Sequence, residues 1–166
     1  DLPDFTDYNM EGRTYRYFNG EPLYPFGHGL SYTKFRYDSL EIPSGTVDIC
    51  ERDNIPVAFT LENSGLRDGD EVVQLYVISL DSRFSQPVKQ LKAFKRIRLK
   101  AGKSIRDTIW LNLNELYYYD TVLHDYIIEP GTYELQIASS SKDVRLSATL
   151  ELANCNYTHV EDNNKP

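Results

Sequence analysis

The sequence is poor in tryptophan, methionine and cysteine, and it has no long apolar run. One Trp and one Met stand against 13 Tyr and 7 Phe. No stretch approaches the roughly 20 consecutive apolar residues that a membrane-spanning helix requires. With a formal charge of −7, the chain also lacks the basic excess that nucleic acid or an anionic membrane surface attracts. We therefore expect neither nucleic acid nor a membrane as a partner.

The two cysteines, Cys50 and Cys155, do not combine with the scattered residues His28, His124 and His159 at the spacing of a zinc site. We accordingly expect no metal and no other cofactor. The cysteines form either one disulfide or two separate thiols, and the residues leave both readings open. In a sandwich whose first and last strands run parallel, both cysteines lie at the same end. A bridge would then close a loop of about 100 residues and add up to ~4 kcal/mol of stability.

Residues 1–32 form a segment that is dense in glycine, proline and aromatic residues. Pro22, Pro25, Gly27 and Gly29 would interrupt any helix or central strand. The segment is too aromatic for a solvated linker, so we predict an extended arm that lies on another surface. Its acidic first residues do not resemble a signal peptide, and we expect that the chain was cut from a longer one.

From residue 33 onwards the hydrophobic pattern takes a period of two, which is typical of strands. In one run, Ile55, Val57, Phe59 and Leu61 point one way and the residues between them the other. Strands are predicted at 34–38, 55–62, 71–79, 91–99, 105–113, 125–128, 133–137 and 144–152. Only residues 114–119 could form a helical turn. We predict an all-β antiparallel sandwich of about seven strands, immunoglobulin-like or fibronectin type III-like, over residues 33–153, with a polar tail over 154–166.

Three consecutive tyrosines, Tyr117, Tyr118 and Tyr119, are the candidate surface for binding sugar. Exposed aromatic rings in a row could stack on sugar rings. The alternative is that alternate tyrosines cover the open edge of the core, with their hydroxyls reaching water, and we favour it. Asn156 begins a glycosylation sequon, which has meaning only in a eukaryotic secretory pathway.

Several long motifs resemble one enzyme family. Residues 11–18 read EGRTYRYF, and residues 22–35 read PLYPFGHGLSYTKF. Further motifs are DGDEVVQLYV at 68–77, PVKQLKAFKR at 87–96, EPGTY at 129–133 and SSSKDVRL at 139–146. In this order and spacing they are similar to the C-terminal part of family 3 glycoside hydrolases, with a linker followed by a fibronectin type III-like domain. Ala93 and Ala138 depart from the family pattern, in which glycine is common.

The resemblance implies a non-catalytic module that supports the packing and stability of a β-glucosidase or β-xylosidase. The family's catalytic residues lie upstream, so no residue here inherits a catalytic role. Acidic clusters such as Asp68, Asp70 and Glu71 fall in predicted turns or on solvent faces. The arm would contact the parent's catalytic domains, and its candidate contact residues are Arg13, Tyr15, Tyr17, Phe18, Tyr24, Phe26 and His28.

Two alternatives stay open at the level of sequence. The chain could be an independent carbohydrate-binding module that uses its exposed aromatics to bind oligosaccharide, or a protein-interaction domain that uses the arm. A detached arm would expose Phe18, Tyr24 and Phe26, so we expect it either to fold back on its own sandwich or to associate. We also expect a secreted or periplasmic location.

Overall fold

The computed structural model describes residues 4–84 and 86–154 of the chain. Strands account for most of the regular structure. In chain order the elements are α1 (Thr14–Tyr17), β1 (Phe35–Glu41), β2 (Thr46–Asp48), β3 (Asn54–Asn63), β4 (Gly69–Ser79), β5 (Gln90–Leu99), β6 (Ser104–Asn112), a 3-10 helix (Leu113–Leu116), β7 (Tyr118–Asp120), β8 (Asp125–Ile127), β9 (Gly131–Ala138) and β10 (Val144–Ala153). No helix in the described ranges is long and apolar enough to cross a bilayer.

The strands form two main sheets and one small hairpin. The three-stranded sheet has the order β1-β3-β6, the five-stranded sheet has the order β2-β10-β9-β4-β5, and β7 pairs with β8. The neighbouring strands run antiparallel, except that β2 runs parallel to β10. The predicted all-β sandwich is confirmed.

The core lies between the two sheets, and strand alternation selects its members. In β3 every second residue faces the core, and these residues, Ile55, Val57, Phe59 and Leu61, are all fully buried. They share one cluster with inward-facing residues of the opposite sheet, among them Leu75. Burying an aliphatic or phenyl side chain of this size contributes about 1.5–3 kcal/mol, so this layer of apolar side chains is the main source of stability.

Strand β4 is buried on both of its faces, which explains its continuous apolar run. Val73, Leu75 and Val77 point into the core, while the intervening Gln74 and Tyr76 point outwards and are nevertheless buried. Their cover is the N-terminal arm, which lies against the outer face of the five-stranded sheet.

The structure differs from the sequence prediction mainly in short elements. β2 and β7 have three residues each, too few to show a period of two, and both were missed. The arm was predicted as extended throughout, yet Thr14–Tyr17 forms one helical turn. The carbonyl of Arg16 in that turn accepts a hydrogen bond from Val88 N, so contact with the sandwich stabilises the turn. The predicted helical turn at 114–119 is a 3-10 turn that starts one residue earlier and gives way to β7.

The predicted boundaries between arm, sandwich and tail stay predictions, although the main strands fall between them. The first strand begins at Phe35 and the last ends at Ala153. The arm is not separate from the sandwich, because its backbone and side chains contact β4, β5 and the turn that follows β9.

Candidate functional site

Two aromatic residues hold the arm against the outer face of the five-stranded sheet. The Tyr15 ring stacks on Phe26, with centroids 4.3 Å apart and planes 17° apart, and it meets Tyr76 of β4 edge-on at 6.0 Å. The Tyr15 hydroxyl accepts a hydrogen bond of 3.0 Å from the backbone amide of Leu91, on the edge strand β5. One tyrosine thus joins the arm, the sheet face and the sheet edge.

A glutamine in the middle of β4 provides the polar part of this contact. Gln74 Nε2 donates to the carbonyls of Ser139, at 2.7 Å, and Gly27, at 3.4 Å. Its Oε1 accepts from the Tyr76 hydroxyl at 2.6 Å. Both Gln74 and Tyr76 are buried, so these bonds replace the water that the polar groups lose. The arm therefore has a defined seat on the sheet.

A lysine on the loop before β5 closes the contact from the other side. Lys89 Nζ donates to Gln136 Oε1 at 2.7 Å and to the carbonyl of Ser141 at 2.8 Å, and it lies 5.6 Å from the Tyr76 ring centroid. Ser141 N in turn donates to the carbonyl of Phe26 at 2.8 Å. Burial lowers the pKa of the Lys89 ammonium, because a charged amine loses hydration there.

Away from this contact, many side chains of the arm are apolar and exposed. Leu23, Leu30 and Tyr32 are each about 90% exposed. The full set of exposed large apolar side chains on the arm is Phe5, Tyr8, Met10, Phe18, Leu23, Tyr24, Phe26, Leu30 and Tyr32. We call this set the arm stripe. A concentration of apolar side chains on one exposed segment is typical of an interaction surface.

The predicted contact residues divide between the seat on the sheet and the arm stripe. Tyr15 lies on the sheet, Phe26 contributes to both, and Phe18 and Tyr24 belong to the arm stripe. His28 is exposed and its ring lies 5.3 Å from that of Tyr24. The two remaining residues face other arm residues: Arg13 pairs with Asp7 at 3.1 Å, and the half-buried Tyr17 lies beneath the Arg16 guanidinium.

The three candidate sugar-stacking tyrosines do not form one row. Tyr117 and Tyr119 are exposed, whereas Tyr118 is half-buried against Phe84, with its ring 5.5 Å away. Tyr119 instead meets Tyr126 across the β7–β8 hairpin at 5.3 Å. This alternation agrees with the reading in which these tyrosines cover an edge of the core. Sugar binding at this position stays a prediction.

The acidic clusters of the sequence have structural partners. Asp68 accepts from the backbone amide of Ala101, and Asp70 pairs with Arg96. Asp120 accepts from two backbone amides within the turn that follows it. Burial raises the pKa of Glu71. Among the described residues, no group of three or more His, Cys, Asp or Glu side chains could hold a metal ion.

Of the two readings of the cysteines, the disulfide is supported by the short strand β2, which the sequence did not reveal. β2 pairs in parallel with β10, with Asp48 opposite Ala153, and Ile49 N donates to the carbonyl of Ala153 at 3.2 Å. Cys50 thus follows β2 at the end of the sandwich where β10 finishes, and the described residues contain no free cysteine. Cys155 lies outside the described residues, so the pairing itself stays a prediction.

Sequence reasoning missed the polar residues under the arm, namely Gln74, Lys89 and Gln136. A glutamine inside the apolar run 72–78 was the available signal, because a buried amide requires partners from another segment. The sequence gives no indication of which segment supplies them.

The chain is similar to a known domain family and to several glycosidases. Residues 71–141 match the model of the fibronectin type III-like domain. A xylan 1,4-β-xylosidase of Xylanibacter ruminicola is 38% identical over 142 residues, which cover 86% of this chain and 16% of that protein. The thermostable β-glucosidase B of Acetivibrio thermocellus is 36% identical, with 83% and 18% covered. Residues 71–141 therefore form a fibronectin type III-like domain, and the chain is similar to a part of family 3 glycoside hydrolases.

Solved structures of the same kind share the fold. A β-glucosidase from Streptomyces venezuelae in complex with D-glucose superposes with a TM-score of 0.75 at 34% identity, covering 84% of this chain and 18% of that one. The Bifidobacterium adolescentis GH3 β-glucosidase gives 0.73 at 30% identity, with 83% and 20% covered. The chain thus spans no more than about a fifth of these relatives. The family of the domain and this small share confirm the prediction of a non-catalytic module.

Proposed function

We propose that this fibronectin type III-like domain is the C-terminal module of a glycosidase that acts on β-glucosides or β-xylosides, and that the arm stripe contacts the parent's catalytic domains. The observation that carries the proposal is the arm. The arm has a defined seat on the sheet through Tyr15 and Gln74, and it also exposes the apolar side chains of the arm stripe.

The arm stripe has the chemistry of an interdomain contact. Leu23, Leu30 and Tyr32 leave almost their whole side chains in water, and covering such side chains contributes about 25 cal/mol per Å² of apolar area removed from water. Interfaces between domains are enriched in aromatic residues at their centres. Because the arm is bound to the sheet, a catalytic domain that packs on the arm would be held in a fixed position relative to the sandwich.

Hydrogen exchange in the full-length glycosidase tests this contact. We expect backbone amides of residues 18–32 to exchange more slowly in the full-length enzyme than in the isolated chain, because the catalytic domains cover them. Residues 144–153, which form β10, provide the internal control and should exchange alike in both. Equal exchange over 18–32 in the two proteins would contradict the proposal.

We propose that the substrate of the parent glycosidase is either a β-glucoside or a β-xyloside. The relatives that support it include proteins named xylan 1,4-β-xylosidase and β-glucosidase. Comparing hydrolysis of an aryl β-glucoside with that of an aryl β-xyloside by the full-length enzyme distinguishes them. We also propose a secreted or periplasmic location, which the absence of a free cysteine among the described residues supports because disulfide bonds persist in oxidising compartments.

The arm stripe also supports a second candidate function, a protein-interaction domain. In that case the isolated chain associates through the arm. Light scattering across a range of concentrations separates the two functions: a monomer with a protected arm favours the interdomain role, and a concentration-dependent dimer favours the other. Oligosaccharide binding by Tyr117, Tyr118 and Tyr119 has less support, because Tyr118 turns inwards.

A further inference from the structure

A carboxylate at the start of β4 lies at the end of the core without a cation bound to it. Glu71 alternates with the buried residues Val73 and Leu75, so its side chain lies on the core-facing side of the strand. The residue is half-buried. Within the described ranges its carboxyl accepts one hydrogen bond, from the backbone amide of Val72 at 3.0 Å, and it takes part in no ion pair.

A buried hydroxyl beside this carboxyl also lacks a partner. Tyr37 of β1 is only 9% exposed, and its hydroxyl lies next to Glu71. No hydrogen bond of normal geometry joins the two groups, and the hydroxyl has no other partner in the described part of the chain. Buried polar groups in folded proteins are almost always hydrogen-bonded. Two incompletely bonded groups side by side therefore indicate a place for a hydrogen-bond donor.

The charges around Glu71 do not balance. Burial raises the pKa of its carboxyl, and the charged side chains close enough to affect it are Arg145 of β10 and Asp143 of the preceding turn. The guanidinium of Arg145 is bound to Asp143 at 2.6 Å, so two carboxylates share one cation. One negative charge is thus left over at this end of the sandwich.

Glu71 lines a cleft that the arm borders. The cleft has a volume of about 1030 Å³, and Gly27, Leu30 and Phe35 line it together with Glu71 and Arg145. Leu30 belongs to the arm stripe and is almost wholly exposed. The cleft is therefore continuous with the surface that we propose to contact the catalytic domains.

The other charged groups of the cleft do not compensate Glu71. The carboxylate of the neighbouring residue, Asp70, is already paired with Arg96 at 2.5 Å. The remaining basic side chains of the cleft are exposed, and they are Lys34, Lys142 and His28. None of these three acts on the Glu71 carboxyl. Glu71 is thus the carboxylate of this cleft for which the described residues provide no ion pair.

We propose that a basic side chain of the parent's catalytic domains, lysine or arginine, enters this cleft and forms an ion pair with Glu71. The inference rests on the proposed interdomain role of the arm stripe and specifies the chemistry of its partner. An ammonium has three N–H donors and a guanidinium has five, so either group can bind Glu71 and still donate to the Tyr37 hydroxyl oxygen. Hydrogen bonds between charged groups are stronger than those between neutral ones, which favours such a pair at a half-buried position.

Glu71→Gln, made both in the 166-residue chain and in the full-length enzyme, tests the proposal. In the isolated chain we expect the urea midpoint of unfolding at pH 7 to stay the same or rise, because the amide removes a half-buried charge that has no ion pair. In the full-length enzyme we expect the backbone amides of residues 25–31 to exchange about tenfold faster or more, the effect of losing one charge-assisted hydrogen bond. Asp70→Asn is the matched control, because its partner Arg96 belongs to the same chain, and it should change the exchange of residues 25–31 alike in both proteins.

Two results would overturn this inference. A lower urea midpoint for Glu71→Gln in the isolated chain would show that the carboxylate already has its partner there. Unchanged exchange of residues 25–31 in the full-length variant, with residues 18–32 of the unmodified enzyme still slower than in the isolated chain, would leave the interdomain role standing and exclude the ion pair. Equal exchange of residues 18–32 in the two unmodified proteins would instead contradict the interdomain role, and the ion pair with it.

Discussion

At the scale of single residues, Gly27 determines how closely the arm approaches the sheet. Its φ of +78° lies in the left-handed region that side chains disfavour. A Cβ atom there would lie 2.3 Å from Gln74 Oε1, the oxygen that accepts from the Tyr76 hydroxyl. The residue is therefore required both for its backbone conformation and for the space above Gln74.

Gly27→Ala should loosen the arm, whereas Gly29→Ala should not. An alanine at 27 must displace Gln74 and adopt a strained φ, while nothing lies within 4 Å of the position that a Cβ would take at Gly29. We expect Gly27→Ala to cost about 1–3 kcal/mol of arm docking, the typical cost of backbone strain. Limited trypsin digestion at Arg13 and Arg16 measures it. Equal cleavage rates in the two variants would contradict this account.

A second residue, Glu129, ties a loop to the end of the sandwich. Its carboxylate accepts from Ser82 Oγ at 2.7 Å and from Arg83 Nε at 2.8 Å, and its side chain is almost wholly buried. Burial alone raises the pKa of Glu129, but the hydrogen bonds from Arg83 and Ser82 outweigh it and leave the pKa below 4.5. The folded protein therefore favours the charged form of this carboxyl.

Glu129→Gln should destabilise the chain at neutral pH and matter less in acid. A lowered pKa contributes stability that is fully present above the unfolded-state value of 4.5 and is lost as the pH falls through the folded-state value. Losing the charged acceptor should cost about 1–3 kcal/mol near pH 7, with a smaller difference near pH 3. Urea unfolding at both pH values measures this, with the exposed Glu115→Gln as control. A difference that grows in acid would contradict the assignment.

At the scale of elements, the sequence predicts long strands well and contacts between segments poorly. β3 alternates buried and half-buried positions with a period of two, and β10 alternates exposed and more buried ones, so the existence of both strands follows from the pattern. β2 and β7 exist because of their pairing partners, and three residues cannot show a period. The same limit applies to the candidate site. The aromatic content of the arm indicates a partner surface, but only the fold shows that the first partner is β4.

Tyr15→Phe tests the contact between the arm and the sheet edge. The variant keeps the ring that stacks on Phe26 but removes the hydroxyl that accepts from the Leu91 amide. We expect the Leu91 amide to exchange faster with solvent and the arm to bind about 0.5–1.5 kcal/mol more weakly, the usual net value of a hydrogen bond. Amide exchange followed by NMR measures both. Tyr32→Phe, on an exposed ring, is the control; unchanged exchange at Leu91 in the Tyr15 variant would contradict the contact.

At the scale of the whole molecule, the parallel pairing of β2 with β10 brings distant parts of the chain together. Thr46 lies opposite Glu151 and Asp48 opposite Ala153. The strands β2 and β10, which come first and last along the chain in this sheet, therefore end at the same edge of the sandwich. A covalent link at this end would connect segments about 100 residues apart and restrict the unfolded chain.

Breaking the predicted Cys50–Cys155 bridge should lower the free energy of unfolding by up to ~4 kcal/mol, following the loop-closure model. Denaturant unfolding with and without reductant measures the effect. The Cys50→Ser variant should unfold alike under both conditions, because it has no bridge to reduce. Two titratable thiols in the unreduced, denatured chain would rule out the bridge.

The central claim is that this chain is a non-catalytic module of a glycosidase, and one assay tests it most directly. The purified 19.2 kDa chain is incubated with aryl β-glucoside and aryl β-xyloside, with its intact mass verified beside the assay. The account predicts no turnover above the buffer blank with either substrate. Turnover that co-purifies with the 19.2 kDa species would contradict it and would direct attention back to acidic residues such as Glu71 and Asp70.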